Sequence, residues 1–187
     1  LEVDWDKRYR EGFYAGQYRQ HELTERFAPL MPRDKPVIDI AAGQGRDVIF
    51  LARRGLHVCG LERSREAIKL ARQAAGENGT DITMVAGDAE HLPFRHGTAG
   101  TVCVFYFLLR EIMDQLVAML APGGLLVYET FTKRQNAIDR PRNPRYLLDD
   151  GELLSYFRGL ELLFYEEGIF DTHDRQRALA RYVGRKR

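Results

Sequence analysis

At 187 residues, with 44% hydrophobic and 29% charged side chains, the chain is long enough for one full-sized core and short for two. Its 28 Lys and Arg balance 27 Asp and Glu, which excludes a global basic field of the kind that binds nucleic acid non-specifically. No apolar run approaches the roughly 20 residues of a membrane span, and the two cysteines, Cys59 and Cys103, sit in apolar runs that favour buried reduced thiols. These features predict a cytoplasmic protein of one domain over residues 1–187, with no metal site.

Trp5, Tyr9 and Phe13 fall four apart, on one face of a short predicted helix, and a second helix is predicted over 22–28 before Pro29 and Pro32. Residues 1–34 are thus an N-terminal helical segment. Val37, Ile38 and Ile40 then form a β-branched strand ending in Ala41-Ala42-Gly43-Gln44-Gly45-Arg46-Asp47, where the two glycines permit a tight turn and a close ligand approach. A helix follows. A dinucleotide fingerprint would place a third glycine at position 48, but Val48 stands there, and Asp39 would repel a pyrophosphate while suiting a cation.

The second strand, 56–61, leads to Glu62, about 20 residues beyond Gly43, the offset at which an acid at a neighbouring strand tip accepts from ribose hydroxyls. Ser64 is the expected N-cap of a helix over 65–75 with Ala67, Ile68, Ala71 and Ala75 inward. A third strand, 82–86, runs into Gly87-Asp88-Ala89-Glu90-His91-Leu92-Pro93-Phe94. Asp88 there is placed to accept from an adenine amine, while His91 reads as a surface residue. The fourth strand occupies 101–110, and its carboxyl end is where an open α/β sheet receives ligand, which places Tyr106 and Arg110 near the reaction. A helix to Leu120, the turn Ala121-Pro122-Gly123-Gly124 and a fifth strand over 125–131 follow. Residues 132–148 have no apolar period and hold Lys133, Arg134, Arg140, Arg142 and Arg145 against Asp139 alone, so they are predicted to form a basic insertion loop. A helix over 148–157 and two strands, 160–166 and 178–183, joined by a hairpin-like loop around 171–177, complete the chain.

The Asp39-x-x-x-Gly43-x-Gly45 turn, the phrase at 87–94 and the Leu-x-Pro-Gly-Gly-x-Leu run at 120–126 together resemble the class I S-adenosylmethionine-dependent methyltransferases. Within them the Gly-Gln-Gly-Arg-Asp turn and the small size look most like the tellurite-resistance group, though Ala42 and Asp47 depart from its usual Cys and Asn. The resemblance implies a Rossmann-like α/β fold: a seven-stranded, mostly parallel sheet with an antiparallel last strand inserted beside its neighbour, and helices on both faces. It also implies S-adenosyl-L-methionine as cofactor. Asp39 and the Gly43 and Gly45 backbone belong at the methionine end, Glu62 on ribose, and Asp88 with Ala89 on adenine; Ala41, Arg46, Arg63, Glu90 and Phe105 complete the expected set. The Trp-x-x-x-Tyr helix is expected on its own pattern to cover one end of the sheet, and the resemblance implies that it lids the methionine end. Tyr106, Arg110 and Arg145 are the expected catalytic and acceptor residues for a small, possibly anionic molecule. An RNA or protein acceptor, which would call for a basic groove or an added domain, and a non-catalytic cofactor-binding subunit are the rival expectations. The Asn-Pro-Pro-Tyr motif of amino-methylating nucleic-acid enzymes is absent after the fourth strand, where Phe105-Tyr106-Phe107-Leu108 stands.

Overall fold

The computed structural model describes residues 3–16, 19–172 and 175–187. Its elements in chain order are α1 (Trp5–Arg10), α2 (Glu22–Phe27), β1 (Val37–Ile40), α3 (Arg46–Ala52), β2 (Val58–Glu62), α4 (Arg65–Glu77), β3 (Thr83–Ala86), β4 (Ala99–Phe105), α5 (Met113–Met119), β5 (Leu120–Phe131), α6 (Glu152–Tyr156), β6 (Glu161–Asp171) and β7 (Gln176–Arg185). The strands form one seven-stranded sheet in the order β3-β2-β1-β4-β5-β7-β6. The first five run parallel, and β7 lies antiparallel between β5 and β6. This is the predicted Rossmann-like sheet with its reversed last strand.

The central strands are apolar because helices cover both faces. All seven residues of β4 are buried, as are all four of β1. One face packs Ile38, Ile40, Val102 and Val104 under α5 and α6; the other packs Val37, Cys103, Phe105 and Val127 under α2 and α3. Both cysteines are free thiols, Cys103 fully enclosed. Strand order reverses between β1 and β4, so the chain leaves these two neighbours in opposite directions and opens a crevice beyond their carboxyl ends.

Strand β4 ends at Phe105, short of the expected 110, whereas the three strands beyond it are longer than the sequence suggested. Strand β5 begins at Leu120 because Leu120 pairs with Ala99 before the Pro-Gly-Gly turn, and the ladder then shifts register to Leu125 opposite Thr101. Strands β6 and β7 extend to Asp171 and Gln176 because each supplies the other's backbone partners. Two residues of the predicted hairpin loop, His173 and Asp174, lie outside the described residues. Helix α1 stops at Arg10, short of Phe13, which is 63% exposed and so does not share the face expected of it. The predicted cap is present: Ser64 Oγ accepts from the Ala67 amide at 3.1 Å.

The insertion over 132–148 is a folded loop rather than a bare basic strip. A bridge between Thr132 and Leu148 closes its base, and Gln135, only 1% exposed, reaches the Arg140 carbonyl and accepts from the Ala178 amide of β7 at 2.8 Å. Lys133 and Arg134 pair with Asp149 and Asp150, acids just outside the segment whose charge was counted. Beneath it, Phe157 fills the space between Tyr128 and Tyr182 at centroid distances of 5.9 and 5.2 Å and is 1% exposed. Phe157→Ala should therefore lower unfolding free energy in urea by about 3–5 kcal/mol; a loss no larger than that of an exposed site would show that this aromatic layer does not anchor the C-terminal half.

Candidate active site

The chemistry-bearing residues collect where β1, β2 and β4 end. Ala41 (φ 58°) and Tyr106 (φ 53°) follow β1 and β4 and are the two non-glycine residues with left-handed backbone among those described. Side-chain Cβ atoms disfavour that conformation, and such strain clusters where a site requires it. Gly43 and Gly45 are left-handed too, and a Cβ on Gly43 would come within 2.7 Å of the Tyr9 hydroxyl. Tyr9 of α1 therefore reaches over the glycine turn, while Asp6 fastens α1 by accepting from the Ser64 hydroxyl at 2.6 Å and the Glu66 amide at 3.2 Å.

Glu62 ends β2 with its carboxylate aimed at the turn. Oε2 accepts from the Gly43 amide and Oε1 from the Ser64 amide, each at 2.8 Å. These two bonds fix the group and leave a lone pair on each oxygen for a vicinal diol. Burial pushes the Glu62 carboxyl up, with Ser64, Gly43 and Arg63 opposing.

Below the turn lie two buried acids with opposite behaviour. Asp47, in the first turn of α3, accepts from the His21 amide (2.9 Å), the Thr24 hydroxyl (2.5 Å) and His21 Nδ1 (2.6 Å). Burial alone would raise its pKa, but His21, Arg46 and Thr24 outweigh it and hold the carboxyl at about 2. Asp39 is pushed well above the usual carboxylate range by its own burial and then by the charge of Asp47, with Arg46 opposing and Glu62 adding to the rise. The shifts of the two acids thus run in opposite directions. Asp39 is 3% exposed, and a cation beside it would oppose the rise.

Beside this pair, His21 stacks on Phe105 at 3.9 Å and meets the edge of Tyr106 at 4.8 Å. Arg46 and Arg177 both lie over the Tyr106 ring, 5.7 and 5.0 Å from its centroid, and Phe131 stacks on it at 4.9 Å. Burial first, then Glu129, pushes the Tyr106 phenol up, so the hydroxyl stays a donor rather than a base. Glu129 approaches Arg181 at 3.0 Å as an ion pair without hydrogen-bond alignment, and Arg181 reaches Glu22 and Glu166 as well.

The structure thus brings Asp39, Ala41, Gly43, Gly45, Arg46, Glu62, Phe105 and Tyr106 together. At the tips of β2 and β3, Arg63 faces Asp88 at 3.8 Å, Asp88 Oδ1 accepts from the Glu90 amide, and Ala89 packs into the core. Arg110 is engaged within the protein. Its Nε and Nη2 form a fork on Glu152 at 2.6 and 3.0 Å, and its remaining donors reach the carbonyls of Leu147 and Arg145, so it clamps the insertion. Arg145 is exposed on the loop so clamped. Sequence reasoning passed over His21, Asp47, Phe131, Arg177 and Arg181, of which only Asp47 lies in a recognisable motif.

The donor set suits the expected cofactor: acids at the ribose and methionine positions, a glycine turn open to close approach, and no third glycine for a pyrophosphate. Residues 37–124 match the family described as a methyltransferase domain. An uncharacterized methyltransferase, sll0829, of Synechocystis is 32% identical over 118 residues, 59% of this chain and 53% of that protein. A demethylmenaquinone methyltransferase of Mycolicibacterium vanbaalenii is 31% identical over 131 residues, 67% of this chain and 54% of its own length. The chain spans about half the length of these curated relatives. The crystal structure of TehB from Haemophilus influenzae superposes with a TM-score of 0.75 over 97% of this chain and 67% of that one, at 16% identity, a likeness of fold. Over residues 37–124 the chain is thus similar to a methyltransferase domain, and its sheet has the fold of the class I S-adenosylmethionine-dependent methyltransferases. Its glycine turn, Glu62 and the Asp88 segment all fall inside the matched methyltransferase domain.

The opposite shifts of the two acids make a prediction with a definite sign. Asp39, raised on folding, contributes stability that is full below the unfolded value near about pH 4 and is lost as pH rises through its folded pKa. Asp47, depressed, contributes stability present above about pH 4 and lost as pH falls toward about 2. Asp39→Asn should thus be more stable than the parent at neutral pH, with the gain shrinking toward about pH 4. Urea unfolding across that range checks it, and a gain independent of pH would contradict the assignment. Separately, Arg110→Ala should cost about 1–3 kcal/mol of stability while leaving cofactor affinity parental; a selective loss of cofactor or acceptor binding would place Arg110 in the site.

Proposed function

We propose that this chain binds S-adenosylmethionine across the tips of β1, β2 and β3 and transfers its methyl group to a small, anionic acceptor held beside Tyr106. The observation that carries the cofactor half is Glu62, locked by the Gly43 and Ser64 amides in the place a ribose diol would meet it. Asp88 and Ala89 take the adenine end, with Arg63 and Glu90 bordering it; Asp39 and the Ala41 to Gly45 turn take the methionine end, where Tyr9 acts as the lid; Arg46 addresses the carboxylate there. The bound cofactor supplies an already activated methyl group on a sulfonium. The protein's work is then alignment and exclusion of water, for which the aromatic wall of Phe105, Tyr106 and Phe131 is suited.

On the acceptor side the cationic partner is Arg177, which donates toward the Tyr106 hydroxyl at 3.4 Å and lies over its ring. The Tyr106 hydroxyl and the Arg177 guanidinium lie side by side, with Arg177 Nη1 also donating to Thr172 Oγ1 at 2.6 Å, a combination that suits an anionic oxygen or sulfur nucleophile. Such a nucleophile needs no base, in keeping with a tyrosine that keeps its proton. Arg145, on the rim, would attract the acceptor without gripping it. The relatives named for demethylmenaquinone methylation act, by those names, on small molecules, which supports an acceptor of that size. The two free cysteines are consistent with work in the reducing cytoplasm.

Glu62→Ala should lose charge-assisted bonds and weaken both the cofactor and its demethylated product by ~1.5–3 kcal/mol in calorimetry, and Glu62→Gln by less. Parental affinity in the alanine variant would remove Glu62 from the ribose; tight NAD binding by the parent would overturn the cofactor itself.

A further inference from the structure

A guanidinium has donors only, so His21 Nε2, which faces Arg46 Nη2, is the acceptor in that contact. The single proton of a neutral ring then sits on Nδ1 and is donated to Asp47 Oδ2 at 2.6 Å. Orientation passes along this chain: Asp47 fixes the imidazole, Phe105 stacks beneath it, and the imidazole fixes Arg46 across the Tyr106 ring. Docking of α2 on α3 does not require the last of these links. The His21 amide and the Thr24 hydroxyl already bind Asp47, and Leu23 and Phe27 are buried in the core on that face.

We infer that His21 is a positioning residue for Arg46, holding its guanidinium where the carboxylate of the cofactor's methionine end is bound. The inference rests on the cofactor reading above. The role needs only an acceptor at Nε2, fixed in place by the Asp47 contact and the Phe105 stack.

The test is calorimetry of S-adenosylmethionine binding to the parent, His21→Gln, His21→Ala, Arg46→Ala and the double alanine variant, with thermal unfolding of each. His21→Gln retains an acceptor for Arg46, so its affinity should approach the parent's. His21→Ala should bind about tenfold more weakly but cause no further loss once Arg46 is alanine, as expected of neighbours acting through one hydrogen bond. A merely structural His21 would lower Tm and affinity alike in both backgrounds. A His21→Gln variant as weak as His21→Ala, or equal losses from His21→Ala with and without Arg46, would overturn the inference while leaving the cofactor reading standing. A parent that binds no S-adenosylmethionine would overturn both.

Discussion

The buried carboxylate of Asp47 is the constraint around which the site is built. It is 3% exposed, and its charge is held by the His21 amide, the imidazole, the Thr24 hydroxyl and the nearby Arg46. Breaking a buried ionic contact of this kind by removing one partner is typically worth several kcal/mol, because the remaining charge stays uncompensated. Two consequences follow. Helix α2 is fastened to α3 at its first turn, and Asp39, lying next to a fixed negative charge, has its pKa raised further.

That arrangement turns a generic sheet into a site with direction. The tips of β2 and β3 present acids and small residues; the tip of β4 presents aromatic rings under two arginines. Between them stand Ala41 and Tyr106, both held in left-handed backbone at the point where strand order reverses. Neither strained residue would persist without the packed strands on each side, whose central members are wholly buried. The cationic and anionic halves are therefore fixed to rigid strand ends rather than to mobile loops, the placement that positions groups most tightly.

Much of this was legible in the sequence, for physical reasons. Local signals placed the strand-glycine turn-helix unit, the acid about 20 residues on, and the Ser64 cap, because each depends on contacts within one βαβ unit. The antiparallel last strand came from family resemblance, and pairing with β5 explains its length. What could not be read were contacts that close over long separations. His21 and Asp47 stand 26 residues apart, Tyr106 and Arg177 71 apart, and nothing in either stretch alone marks them. The partner of Arg110 was hidden in the same way, since Glu152, which holds its fork, lies 42 residues on. The charge of the 132–148 loop misled, since its acidic partners begin one residue beyond the segment.

The central claim is that this site moves a methyl group from S-adenosylmethionine to a small anionic acceptor. It is tested most directly by incubating the purified chain with methyl-labelled S-adenosylmethionine and, in parallel, thiols, carboxylates, inorganic oxyanions, hydroxylated quinones, RNA and protein. The account predicts label in a small product, favouring acceptors that carry a negative charge at the nucleophile, and less product when Arg177 is replaced by alanine. Label confined to RNA or protein, a preference for neutral or cationic small molecules, or cofactor binding without transfer to any acceptor would contradict it.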